Sequence, residues 1–230
     1  MPTKTYQVAR HLFRISAASD SFLWERMREC YGPFEVPSDQ NAESWSGEPE
    51  APAFEIEICE DLRDFGGCEL VYSNKGTVEP GFLEISVLKS EEEHHFEFKY
   101  PDSKEINGRL SVTKDYRSAR FTLSGAQGHQ WYTFNSGMNI CYLLATAALD
   151  TIFIHASCVS YQGKAYLFLG KSGTGKSTHS RMWLNALEGV ELMNDDHPII
   201  RIGTDGQPVA FGSPWSGKTR CYKNVEAPIG

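Results

Sequence analysis

One run of residues is built for a single kind of chemistry. Gly170-Lys-Ser-Gly-Thr-Gly-Lys176-Ser177 satisfies the spacing G-x-x-x-x-G-K-[ST] in full, with an apolar stretch before it and a helical pattern after it. Glycines reach backbone conformations closed to other residues. Successive N–H groups can therefore turn inward on phosphate oxygens, while a following helix offers its positive end. Gly170, Lys171, Ser172, Gly173, Thr174 and Gly175 are expected to cradle the phosphates of ATP together with Lys176, Ser177 and Thr178. Lys176 would reach the β- and γ-phosphates, and the Ser177 hydroxyl would sit on a magnesium ion.

Such a loop calls for an acidic partner near the end of a neighbouring strand. Val190-Glu-Leu-Met193 followed by Asn194-Asp195-Asp196 supplies one. In a right-handed β-α-β crossover the returning strand can lie beside the first, bringing both carboxylates to the metal. One would hold magnesium while the other accepts the proton of an attacking hydroxyl. His155 closes an apolar stretch ahead of the loop, and His179 and His197 flank the two motifs. Gly212-Ser-Pro-Trp-Ser-Gly-Lys218-Thr-Arg220 is a glycine-containing turn ending in two cations, either a cover for phosphates through Lys218 or an ordinary surface loop.

These residues need elements to place them. Thr151–His155 and Ala165–Leu169 read as strands separated by a Gln162-Gly163 turn, and Thr178–Leu187 reads as a helix. Trp183, Leu184 and Leu187 lie on one face of that helix, and Gly189 stops it. A dense apolar run from Met138 to Leu149, capped by Ser136, predicts a helix apolar nearly all round and hence buried. Upstream, alternation at 54–58, 82–87, 95–100, 109–112 and 119–123, with turn-forming residues between, predicts a meander of antiparallel strands. The turns include Glu79-Pro-Gly81. Ser19–Cys30 predicts a short helix capped by Asp20 or Ser21, and Pro37–Pro52 an exposed loop.

The fold class expected is α+β: a β-rich N-terminal domain over 1–135, suited to substrate or partner recognition, then an α/β P-loop nucleotide-binding domain over 136–230. The few residues after Lys218 read as a domain cut short at its C-terminus. With 230 residues, 40% of them hydrophobic, the chain can bury substantial cores. A net charge of −8 disfavours a broad nucleic-acid surface. No apolar run suits a membrane span or signal peptide, so the expected compartment is the cytoplasm. Six cysteines without a C-x-x-C pair suggest reduced thiols rather than a zinc site. The sequence leaves oligomerisation open.

The loop, the preceding histidine and the Asp-Asp pair together resemble the HPr kinase/phosphorylase family and, more distantly, the ATP-dependent phosphoenolpyruvate carboxykinases. The resemblance covers about 151–218. It implies a catalytic role for His155 and Lys176, proton abstraction from a serine hydroxyl by Asp195, and magnesium binding by Asp196 with Ser177. Thr178 stands where HPr kinases usually carry an acidic residue, closer to the carboxykinase pattern, and the Glu-x-Arg-Gly segment of the bifunctional enzymes is missing. The expected activity is transfer of the γ-phosphoryl group of ATP to a hydroxyl of a protein, peptide or small molecule. The alternatives are a non-catalytic nucleotide-binding sensor and a carboxykinase-like enzyme.

Overall fold

The computed structural model describes residues 1–37, 51–61, 64–78 and 82–230. Most of the expected Pro37–Pro52 loop and the Glu79-Pro-Gly81 turn lie outside the described residues. Strands and helices both occur, with sheet predominating. No helix among the described residues is long and apolar enough to cross a membrane.

The chain opens with β1 (Thr3–Val8), β2 (His11–Ser16), α1 (Phe22–Cys30) and the short β3 (Glu35–Val36). Ala9 and Arg10, both at positive φ, join β1 to β2, the primed geometry that matches strand twist. Ser21 begins α1 as expected, its Oγ accepting the Leu23 N–H at 3.4 Å.

By compactness the chain divides into two units. The first takes Met1–Thr5, Phe13–Arg26 and the described part of Glu50–Ala145. Its further strands are β4 (Phe54–Cys59), β5 (Glu69–Ser73), β6 (Glu84–Lys89), β7 (Glu93–Lys99), β8 (Gly108–Thr113) and β9 (Ser118–Leu123), followed by α2 (Gln127–Thr146). The sheet runs β2-β4-β9-β8-β7-β6-β5. From β9 to β6 it is the antiparallel meander the alternation predicts, and β5, which no alternation marked, adds antiparallel to β6. Two pairings depart from that: β4 lies parallel to β9 and β2 parallel to β4. Phe13 stacks on Phe54 at 5.0 Å, and Tyr142 of α2 meets both rings edge-on. Helix and sheet approach so closely that a Cβ on Gly137 would stand 2.3 Å from the Phe121 ring.

Helix α2 corrects one expectation. It starts at Gln127, and Ser136 sits inside it with Oγ donating to the Tyr132 carbonyl rather than capping an end. Nor is its apolar surface all covered, since Tyr132 and Leu143 are exposed. The helix runs through residue 135, and the division between compact units falls after Ala145.

The second unit takes Tyr6–Leu12, the described part of Met27–Pro49, and Thr146–Gly230. After a 3-10 turn over Ala147–Leu149 come β10 (Thr151–Phe153), β11 (Ala156–Tyr161), β12 (Lys164–Leu169), α3 (Lys176–Ala186), β13 (Glu191–Asn194), β14 (Ile199–Ile202), β15 (Pro208–Phe211) and β16 (Glu226–Pro228). They form an antiparallel sheet β10-β14-β15-β16 and a three-stranded sheet β12-β11-β13. Cys158, Ala165, Met193, Ile200, Ala210 and Ala227 make the core, with Ile154, Leu167 and Ile229 packed on it. The Gln162-Gly163 turn joins β11 to β12 in a tight hairpin. On α3, Trp183 packs against Tyr166 and Phe168, while Leu187 falls beyond the helix as an exposed cap residue instead of completing the apolar face.

Candidate functional site

The three-stranded sheet decides what meets what. β12 and β13 both run antiparallel to β11, so they are parallel to each other with β11 between them. The strand returning from α3 therefore lies beside β11, one strand removed from the loop strand, and not directly against it. The convergence survives this change. Ala156 pairs with Leu169 and Cys158 with Asn194, so the start of β11 and the ends of β12 and β13 share one edge. His155 enters at that edge between the glycine loop and the Asp195-Asp196 pair.

The loop follows directly from β12. Gly173 has φ +82 and Gly175 φ +92, left-handed values that side chains rarely adopt. Thr174 Oγ1 donates to the Lys171 carbonyl at 2.8 Å and closes the turn. Gly175 stands as N-cap of α3 with no side-chain cap, which leaves the first-turn amides to water or a ligand. Lys171, Ser172, Gly173 and Thr174 are exposed, as is Thr178, while Lys176 and Ser177 are half-buried at the start of the helix.

Lys176 points back across the loop. Its Nζ donates to the carbonyl of Gly170 at 2.9 Å and lies 3.3 Å from that of Lys171. It also stands 3.1 Å from His155 Nε2. The same imidazole nitrogen is 3.3 Å from Asp196 Oδ1, and His197 Nδ1 is 3.1 Å from Asp196 Oδ2. Two imidazoles, with ring centroids 6.1 Å apart, thus flank one carboxylate. Burial works to raise the Asp196 pKa, but the hydrogen bond from His197, the two neighbouring imidazoles and the Lys176 ammonium outweigh it, leaving the carboxyl below its ordinary value.

Asp195 occupies a different environment. It is 5% exposed. Ser157 Oγ donates to its Oδ1 at 2.9 Å, and the Thr219 N–H donates to its Oδ2 at 3.2 Å. Ser157 also meets Ser180 of α3, oxygen to oxygen, at 2.6 Å. Asn194 holds the turn that presents the pair: its Oδ1 accepts the N–H groups of Asp196 and His197, and its Nδ2 donates to Ser213 Oγ and the Trp215 carbonyl. The segment over 212–220 is therefore no detached surface loop. Gly212 to Trp215 are buried, and Gly217 runs so close that a Cβ there would stand 3.1 Å from Asp196 Cβ. Lys218 itself is exposed.

Of the residues singled out by sequence, the loop, His155, Asp195, Asp196 and His197 come together. His179 does not join them; its ring lies over Phe168 at 4.5 Å. Ser157, Ser180, Thr219 and the anchoring role of Asn194 carried no sequence signal. Among the described residues no group of three or more His, Cys, Asp or Glu side chains is arranged to hold a metal ion. No protein-family model, curated protein or solved structure matches the chain.

Proposed function

We propose that the chain is an ATP- and magnesium-dependent phosphotransferase of P-loop type that moves the γ-phosphoryl group to a hydroxyl of a protein, peptide or small molecule. One observation carries the reading: the Lys176 ammonium, the His155 imidazole and the Asp196 carboxylate lie in a chain of contacts of 3.1 and 3.3 Å at the mouth of a strand–glycine loop–helix unit. The loop Gly170–Thr178 is the phosphate cradle, with room kept by glycines and uncapped amides at the start of α3. Ser177 and Asp196 are the two oxygen ligands offered to magnesium, which commonly takes one or two protein ligands beside substrate phosphates and water. When bound, the ion would neutralise charge on the phosphate oxygens.

Catalysis by these side chains is chiefly electrostatic and positional. Lys176 turns from the loop carbonyls to phosphate oxygens. That movement releases His155 Nε2 to accept the proton of the attacking hydroxyl. The family resemblance assigns this proton to Asp195, but a group 5% exposed with both oxygens engaged is poorly placed to meet an acceptor, so we assign it to His155.

The test is ADP release and phosphoryl transfer across a panel of hydroxyl acceptors, with titration of ATP in the presence and absence of magnesium. The expected result is magnesium-dependent binding and acceptor-stimulated ADP release, both lost in Lys176→Ala. Binding without turnover would favour a nucleotide sensor, and equal turnover in Lys176→Ala would overturn the assignment.

A further inference from the structure

We propose that Ser180 and Ser157 form a positioning relay that fixes Asp195 and ties helix α3 to the aspartate pair; its consequence for phosphoryl transfer rests on the function proposed above. Ser157 and Ser180 are 0% and 1% exposed. Ser157 has one hydroxyl proton and gives it to Asp195 Oδ1, so the short 2.6 Å contact with Ser180 requires Ser180 to be the donor there. The order is Ser180 to Ser157 to Asp195.

Packing alone gives no reason for this arrangement. Ala156, Cys158 and Val159, the neighbours of Ser157 on β11, are all 0% exposed, and an alanine or valine would fill such a site without burying hydroxyls. Ser180 lies three and four residues after Ser177 and Lys176, on the same side of α3. At the other end of the relay, Asp195 Oδ2 accepts the Thr219 N–H, two residues past the glycine that packs on Asp196. The phosphate-facing end of α3, the carboxylate pair and the 213–219 segment are thereby joined through three buried side chains. Neither serine touches a reacting atom. They hold the scaffold from which Asp196 faces Lys176 and His155.

The experiment combines Ser180→Ala with Asp195→Asn, each alone and together, in the native and the Ser157→Ala backgrounds, measuring urea midpoints and steady-state transfer. Ser180→Ala places a good helix former in a helix, which offsets part of the cost of the lost buried hydrogen bond, and the urea midpoint of each variant reports whether it folds. The relay predicts non-additive effects on the midpoint when Ser157 is present and additive effects when it is absent. It also predicts that Ser157→Ala lowers the rate at saturating ATP about tenfold, with KM for ATP changed by less than about threefold. Additivity in both backgrounds overturns the relay, as does a rate loss residing wholly in KM. A native chain that turns over no ATP would defeat the phosphotransferase reading, while the additivity comparison would still decide the relay.

Discussion

His155 Nε2 stands 3.3 Å from Asp196 Oδ1 and 3.1 Å from Lys176 Nζ, so a single nitrogen faces a carboxylate on one side and an ammonium on the other. It cannot serve both as acceptor from Lys176 and as donor to Asp196 in the same tautomer. The contact is therefore a choice between two states; with Lys176 drawn to phosphate and Asp196 to magnesium, as proposed above, neither claims the nitrogen and its lone pair is free for the hydroxyl proton.

From this follows a pair of substitutions with separable effects. Asp196→Asn removes the negative charge that Lys176 and both imidazoles face and weakens the proposed metal site. It is expected to lower transfer at least about a hundredfold and to raise the magnesium concentration needed for half-maximal rate. His155→Asn leaves the proposed metal ligands in place and removes the proposed proton acceptor. A loss of about 10² to 10⁴-fold in kcat is expected there, with the magnesium requirement unchanged. Identical magnesium dependence in the two variants would remove the proposed division of roles.

The close approach of α2 to its sheet gives a second expectation. Gly137→Ala gains helix propensity worth about 1 kcal/mol. It also places a Cβ 2.3 Å from a ring carbon of Phe121, a fully buried side chain. Overpacking of that kind costs typically about 1–3 kcal/mol and exceeds the gain, so net destabilisation is expected. Equilibrium urea unfolding checks it. A variant as stable as the native chain would mean that helix and sheet separate freely at this point.

The glycine loop was legible in the sequence because its backbone demands particular residues, and the φ values of Gly173 and Gly175 are the demand that their identity meets. The meander was legible because its strands alternate. β11 was not. Ala156, Ser157, Cys158 and Val159 are buried on both faces, so no period of two separates an inside from an outside, and the strand that seats His155 passed as a connection. The β1–β2 hairpin was hidden for another reason. Ala9 and Arg10 take positive φ without being glycine or asparagine, which leaves a turn with no turn signature. Asp195 and Asp196 could be picked out as a pair but not told apart, because Ser157 and Thr219, which bury one of them, lie 38 and 24 residues away along the chain.

The last expectation concerns pH. His11 is 5% exposed, with its Nε2 at 2.7 Å from Thr151 Oγ1. Burial, aided by the nearby charge of Arg201, lowers its pKa from 6.5 to about 4. Above pH 6.5 the ring is neutral in both folded and unfolded chains, and its contribution to stability is fully present. As pH falls from 6.5 toward about 4 the unfolded chain takes up a proton that the folded chain refuses, and stability is lost by roughly 3 kcal/mol in all. Asp196, with its lowered pKa, acts the same way but in a separate window, from the ordinary carboxylate pKa near 4 downward. Urea midpoints measured between pH 7 and pH 4 are expected to fall in the native chain. They should fall less steeply in His11→Gln, whose amide can still meet Thr151 but does not titrate. Parallel slopes in the two proteins would show that His11 is protonated as readily inside the fold as outside it.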